Sequence, residues 1–323
     1  MLMNNKPIIV VAGEPNSVFS EIFCKARIKQ KIKNPIILIV SEKNFTQQIK
    51  KLGYSFKINM VNKDKIEFQK LNNNKINLIN VDLKFKKTFD KISNRSNDYI
   101  DTCFSVALDI LKKNKCLGFI NGPISKKNFL NSKYLGITEY LASKTLHHKN
   151  AVMLIYNKRL SVSPLTTHLP LKEVYKHITK KKIINHIKVI NKFYMKRFKK
   201  SPRIGITGLN PHCESNFKSS EEKGIIKPAI NYLIKNKYKV SGPYPADTIF
   251  MQNHSKKFDV ILGMYHDQVL TPVKTIFGFD AVNITLGLPF IRISPDHGPN
   301  TSMLGKNQSD PTSLIESLKF LDK

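Results

Sequence analysis

The feature that most constrains this chain is an alternation of short, β-rich apolar runs with longer stretches whose apolar residues recur every three or four positions. Runs over 7–12, 35–40, 75–81, 116–121, 151–156, 160–166, 203–208, 259–264 and 282–293 read as strands. Stretches 17–31, 98–113, 138–147, 171–199, 221–236 and 312–321 read as helices. This is the pattern of an α/β protein built on parallel sheet. In 98–113, Ile100, Phe104, Ala107, Leu108 and Leu111 fall on one helix face and are expected in a core. Residues 57–91, rich in Lys and Asn and weakly patterned, are expected to be irregular or edge structure. With 323 residues, the chain is long enough for about two domains.

Composition narrows the class. The chain is 41% hydrophobic and 24% charged, with a mean hydropathy of -0.28, values of a soluble globular protein. Apolar runs such as Ile36–Val40 fall far short of the roughly 18 residues of a membrane helix. The first residues lead straight into Gly13-Glu14-Pro15, without a secretory signal pattern, so a cytoplasmic location is expected. A net charge of +31 brings a nucleic-acid partner into question. Only six of the 54 basic residues are arginine, however, and the lysines are spread through the chain among Asn and Ile. That is the mark of a coding bias rather than of base or phosphate recognition, which exploits arginine's planar fork. Cys24, Cys103, Cys116 and Cys213 are dispersed, which disfavours a disulfide framework or a thiolate metal cage. Neither a Gly-x-Gly-x-x-Gly nor a P-loop pattern sits between a strand and a helix, so a dinucleotide must bind in another way.

Three segments place a histidine where a strand gives way to a polar loop: Thr166-Thr167-His168, Gly208-Leu209-Asn210-Pro211-His212 and Met264-Tyr265-His266-Asp267. Ligands of open α/β sheets gather at the carboxyl ends of strands, and three neutral imidazoles suit zinc or another divalent transition metal while leaving a coordination position open. Asp247 and Asp267 are carboxylates in tight turns, placed to orient a metal ligand or relay a proton; Asp247 equally suits a helix N-cap. The other histidines, His147, His148, His177, His186, His254 and His297, read mostly as surface residues. Lys274, Asn283 and Arg292 suggest an anion site, because an arginine in an apolar strand is costly to bury unless it meets an anion. Thr138 opens a helix whose free N–H groups suit a phosphate, or it is a plain cap.

Read together, these residues resemble the 4-hydroxythreonine-4-phosphate dehydrogenases of vitamin B6 biosynthesis. The match runs from Gly13-Glu14-Pro15 through Asn121-Gly122-Pro123, Gly136-Ile137-Thr138-Glu139, the three histidine segments and Gly242-Pro243-Tyr244-Pro245-Ala246-Asp247. It continues along Asn283-Ile284-Thr285-Leu286-Gly287-Leu288-Pro289-Phe290-Ile291-Arg292 to Asp296-His297-Gly298. The resemblance implies a two-lobed α/β/α fold of the isocitrate/isopropylmalate-dehydrogenase type, with residues 1–137 plus 294–323 in the first lobe and 138–293 in the second. It implies a homodimer whose active site is shared between subunits, NAD or NADP as cofactor, and one divalent ion (Zn, Mg or Co) held by His168, His212 and His266. It further implies that Thr138, Lys274, Asn283 and Arg292 contact a small phosphorylated hydroxy-amino-acid substrate, with Asp247, Asp267 and Lys274 as catalytic candidates. The implied reaction oxidises 4-phosphooxy-L-threonine at C3 and decarboxylates it to 3-amino-2-oxopropyl phosphate. Two departures stand out: Ile137 occupies the place of a family histidine, and Asn16-Ser17-Val18-Phe19-Ser20 replaces a glycine-rich run. The alternatives are a related dehydrogenase of another phosphorylated hydroxy acid and a basic nucleic-acid-binding protein.

Overall fold

Four consecutive aliphatic residues, Ile8 to Val11, can be buried only by a strand covered on both faces, and such strands set the architecture. The structure, a computed structural model, describes residues 6–113, 116–130, 134, 136–145, 151–213, 220–278, 281–295 and 298–323. His147, His148, Asp296 and His297 therefore lie outside the described residues. The chain divides into two compact units: Met1–Ile137 with Pro289–Lys323, and Thr138–Leu288.

Unit 1 opens with β1 (Ile8–Val11), α1 (Phe19–Lys29), β2 (Ile36–Val40), α2 (Glu42–Lys51), β3 (Ile58–Met60), β4 (Ile76–Asn80), α3 (Asn97–Lys112) and β5 (Gly118–Asn121). Next come α4 (Ile137–Lys144), β6 (Val152–Tyr156), β7 (Ser161–Thr166), α5 (Leu171–Val174), α6 (Lys180–Phe198), β8 (Ile204–Thr207), α7 (Lys227–Lys235), β9 (Val240–Tyr244), α8 (Gln252–Ser255), β10 (Val260–Tyr265), α9 (His266–Phe277) and β11 (Val282–Leu286). Unit 1 is completed by β12 (Arg292–Pro295) and α10 (Thr312–Leu321).

The strands of unit 1 lie in the order β3-β4-β2-β1-β5-β12, all parallel. The face of α3 that carries Ile100, Phe104, Ala107, Leu108 and Leu111 is buried, as its periodicity requires. Gly118 of β5 has no room for a side chain, since a Cβ there would stand 2.7 Å from Leu321 of α10. Unit 2 has the order β11-β6-β7-β10-β8-β9, in which β7, β10, β8 and β9 are parallel and β6 runs antiparallel to both neighbours. Val162, Ile261, Val269 and Val273 anchor a core between this sheet and α9.

Several expected elements differ in the structure, each for a physical reason. The stretch 282–293 is two strands, broken by Gly287 at a φ of 84° and by Pro289. The chain accordingly returns to unit 1 at Pro289, and Arg292 pairs with Phe119 of β5 rather than extending the second lobe. The long helix over 171–199 is interrupted, and α6 begins only after Thr179, whose side chain accepts a hydrogen bond from the Lys182 N–H. α2 shows no apolar stripe in sequence, because its buried face mixes Asn44 and Gln48 with Phe45 and Ile49. α9 has Pro272 inside it, a residue that argues against a helix in sequence.

Candidate functional site

The three histidine-bearing loops leave the carboxyl ends of three adjacent parallel strands. β10 lies between β7 and β8, with Tyr265 opposite Thr166 and Leu262 opposite Ile206. One side chain that the sequence reading passed over ties these ends together. Gln268, in the first turn of α9, accepts from the Met264 N–H (2.7 Å) and the Thr207 hydroxyl (2.8 Å) through Oε1, and donates through Nε2 to the Gly208 carbonyl (2.8 Å). The Thr166 hydroxyl completes the tie by donating to the Met264 carbonyl at 2.7 Å. Buried amides are placed where all their hydrogen bonds can be met, and a Gln next to His-Asp in a strand-to-helix turn was the available signal.

His168 and His266 come together, their ring centroids 5.9 Å apart and tilted by 34°. A zinc–nitrogen distance of 2.0–2.1 Å lets two imidazoles on one ion place their centroids about 5–6 Å apart, so this pair suits a shared ion. His266 Nδ1 lies 2.6 Å from Asp267 Oδ1. A carboxylate only accepts, so Nδ1 carries the proton and Nε2 is left with a lone pair able to take a metal, with Asp267 orienting the ring as the sequence suggested. His168 and His212 both adopt left-handed backbone, with φ of 51° and 56°. That conformation costs on the order of 1–2 kcal/mol for a residue with a Cβ. His212 is exposed. Among the described residues, no three His, Cys, Asp or Glu side chains lie close enough together to hold an ion.

The turn that carries His212 is held by Glu222, fully buried, which accepts from the Leu209 N–H (2.8 Å), the Asn210 N–H (2.9 Å) and Asn210 Nδ2 (2.9 Å). Burial pushes its carboxyl up, but these bonds outweigh burial and hold it below the usual carboxylate range. Asp247 is exposed and caps no helix, because α8 starts five residues later behind Met251.

The other candidates are placed as follows. The Thr138 hydroxyl, in the first turn of α4, lies 3.4 Å from that of Thr285 on β11. Asn283, on the same strand, has its buried Oδ1 without a hydrogen-bond partner. Lys274 is exposed on the last turn of α9. Arg292 is buried in unit 1 and donates through Nε to Asn121 Oδ1 at 2.8 Å. At the carboxyl ends of β1 and β5, backbone packs against backbone: the Glu14 N–H donates to the Pro123 carbonyl at 2.9 Å, and Gly13 adopts φ 76°. Glu14 itself is buried, a point its exposed-looking sequence context did not reveal. His186, expected at the surface, is also buried, because its ring hydrogen-bonds Ser163 beneath α6.

Comparison with known proteins supplies the family. The model of the pyridoxal phosphate biosynthetic protein PdxA family matches residues 31–321. A 4-hydroxythreonine-4-phosphate dehydrogenase of Sulfurihydrogenibium sp. (strain YO3AOP1) is 38% identical over 97% of this chain and 96% of its own length. The crystal structure of a 4-hydroxythreonine-4-phosphate dehydrogenase from Klebsiella pneumoniae superposes with a TM-score of 0.85 at 26% identity, covering 98% of each chain. A β-decarboxylating dehydrogenase from Thermococcus kodakarensis, 10% identical, superposes with a TM-score of 0.53 over 96% of this chain and 80% of its own, a likeness of fold alone. Nearly the whole chain and both units are thus accounted for, and the protein belongs to the PdxA family of pyridoxal phosphate biosynthetic proteins.

Proposed function

We propose that the protein oxidises 4-phosphooxy-L-threonine at its C3 hydroxyl with NAD or NADP and releases carbon dioxide, giving 3-amino-2-oxopropyl phosphate. Family membership supports the dehydrogenase class. The observation that carries the metal-dependent chemistry is the pair His168 and His266, on adjacent strand ends, with His266 oriented by Asp267. When bound, a divalent ion (Zn, Mg or Co) acidifies and polarises the reacting oxygen, and NAD(P) takes the hydride. We assign His168, His212 and His266 as its ligands, in a homodimer that shares its active sites.

The chain's own residues do the rest. His266 presents Nε2 because its Nδ1 proton is committed to Asp267. Asp247 serves as a proton acceptor, and Lys274 as the cation that steadies the keto acid as it loses carbon dioxide. Arg292 brings a buried guanidinium held through Nε by Asn121, a planar cation of the kind that recognises anionic groups. Asn283 brings an amide, and Thr138 a hydroxyl at the positive end of α4. No helix among the described residues is long and apolar enough to cross a membrane, in keeping with cytoplasmic biosynthesis.

Ile137, only 8% exposed at the start of α4, cannot donate to an anion and favours testing other phosphorylated hydroxy acids alongside. The experiment is to follow NAD(P)H formation with 4-phosphooxy-L-threonine and with a panel of such acids, with and without a chelator. Chelator-sensitive turnover of 4-phosphooxy-L-threonine to the amino ketone phosphate is expected. Turnover of another acid in its place, or indifference to the chelator, refutes the assignment.

A further inference from the structure

β6 and β7 pair antiparallel at Ile155 opposite Val162, and that register, carried on, sets Met153 opposite Pro164. Proline has no N–H to give across a ladder. The Met153 carbonyl is taken instead by the Ser163 hydroxyl, at 2.5 Å. Beside this break, next to Val152 and Leu165, lies a cavity of about 630 Å³, a volume usual for small-molecule sites. Glu139 of α4 and Lys181, Lys182 and His186 of the first turns of α6 are among the residues that line it.

The hydrogen-bond pattern defines what the walls offer. The single proton of the Ser163 hydroxyl goes to the Met153 carbonyl, so at the 2.6 Å contact between Ser163 and His186 Nε2 the imidazole must be the donor. Burial, aided by the charge of Lys182, pushes His186 down to about 3 and keeps the ring neutral, which leaves Nδ1 an acceptor. Glu139 Oε2 is a second acceptor, buried and without a hydrogen-bond partner. Lys181 and Lys182 belong to the first turn of the 19-residue α6, its positive end. Cationic donors, acceptors and apolar side chains thus line the same cavity.

We propose that this cavity is a binding site for a small phosphorylated molecule carrying an amine, with the phosphate on Lys181 and Lys182 and the N–H groups on Glu139 and His186. Thr138 also lines it, so it borders the substrate residues, but none of His168, His212, His266, Lys274 or Arg292 does. The site stands on the cavity and its donors, independently of the assigned reaction.

Calorimetric titration of the full chain with phosphoethanolamine and with phosphocholine tests it, because the two share a phosphate and a cationic nitrogen and only the first has N–H donors. Phosphoethanolamine is expected to bind at least fivefold tighter than phosphocholine. The double variant Lys181→Met/Lys182→Met is expected to weaken both by tenfold or more, while KM for 4-phosphooxy-L-threonine stays within twofold. No binding, equal binding of the two probes, or binding unchanged in the lysine variant overturns the proposal. So does a KM that rises in step with the probe's Kd, which would make the cavity part of the substrate site. An enzyme inactive on 4-phosphooxy-L-threonine would refute the assigned reaction and leave this binding test intact.

Discussion

Glu14 gives the chain a measurable dependence of stability on pH. Its side chain is 1% exposed; Oε1 accepts from the Asn16 N–H at 3.2 Å, but Oε2 is buried without a hydrogen-bond partner. Burial dominates over the bonds from Asn16 and Ser96 and raises its pKa from 4.5 to about 7. Each pH unit of proton affinity corresponds to about 1.4 kcal/mol, so burying the ionised form costs about 3 kcal/mol more than burying the acid. The folded chain binds this proton more tightly than the unfolded chain. The contribution of the neutral acid is therefore full below pH 4.5 and is lost as the pH rises toward and through 7. Glu14→Gln keeps the shape and abolishes the titration. Urea unfolding of both proteins at pH 5, 6, 7 and 8 gives a difference in which every other titrating group cancels. The variant should gain on the wild type by about 2–3 kcal/mol between pH 5 and pH 8, nearly all of it by pH 7.5. A difference constant with pH to within about 0.5 kcal/mol would show that Glu14 keeps ordinary acidity, and the burial argument would fail.

Four further outcomes are expected. His212→Ala should lower metal affinity and nearly abolish turnover with an unchanged circular dichroism spectrum; full activity in that variant, or in metal-stripped enzyme, refutes the ligand assignment. Arg292→Lys keeps the charge and loses the fork, so kcat/KM should fall at least tenfold, about 1.4 kcal/mol, and wild-type kinetics would reduce Arg292 to a packing role. Ile137→His should raise kcat/KM on 4-phosphooxy-L-threonine several-fold by restoring a contact worth about 0.5–1.5 kcal/mol, whereas a tenfold fall points to a different substrate. In Gly122→Ala the new Cβ would lie 2.1 Å from the Ala12 carbonyl and 2.5 Å from Phe19, so unfolding midpoints should show a loss of about 2–3 kcal/mol, and a neutral substitution would contradict the packing described.

What the sequence revealed follows from which forces it displays. The apolar strands and the amphipathic α3 were legible because burial is written directly as residue pattern. α2 was not, because Gln48 earns its burial through hydrogen bonds to the Pro15 and Thr88 carbonyls, contacts that no periodicity announces. α9 was hidden by a proline tolerated in context. The three histidine loops were recognisable as strand ends, but the parallel order that sets them side by side depends on pairings distant in sequence. Gln268 and Glu222, which hold those loops, looked like ordinary polar residues, and only the folded chain shows what they bond.

The Gln268 tie also determines how mechanical error spreads through the site. One amide bridges the ends of β10 and β8, and through the Met264 carbonyl the end of β7, so the three strand ends are tied to the first turn of α9. Catalytic constellations tolerate displacements of only about 0.5 Å. In the proposed site, repacking Val269 or Val273, both buried on α9, is therefore expected to lower kcat/KM before it lowers the unfolding midpoint.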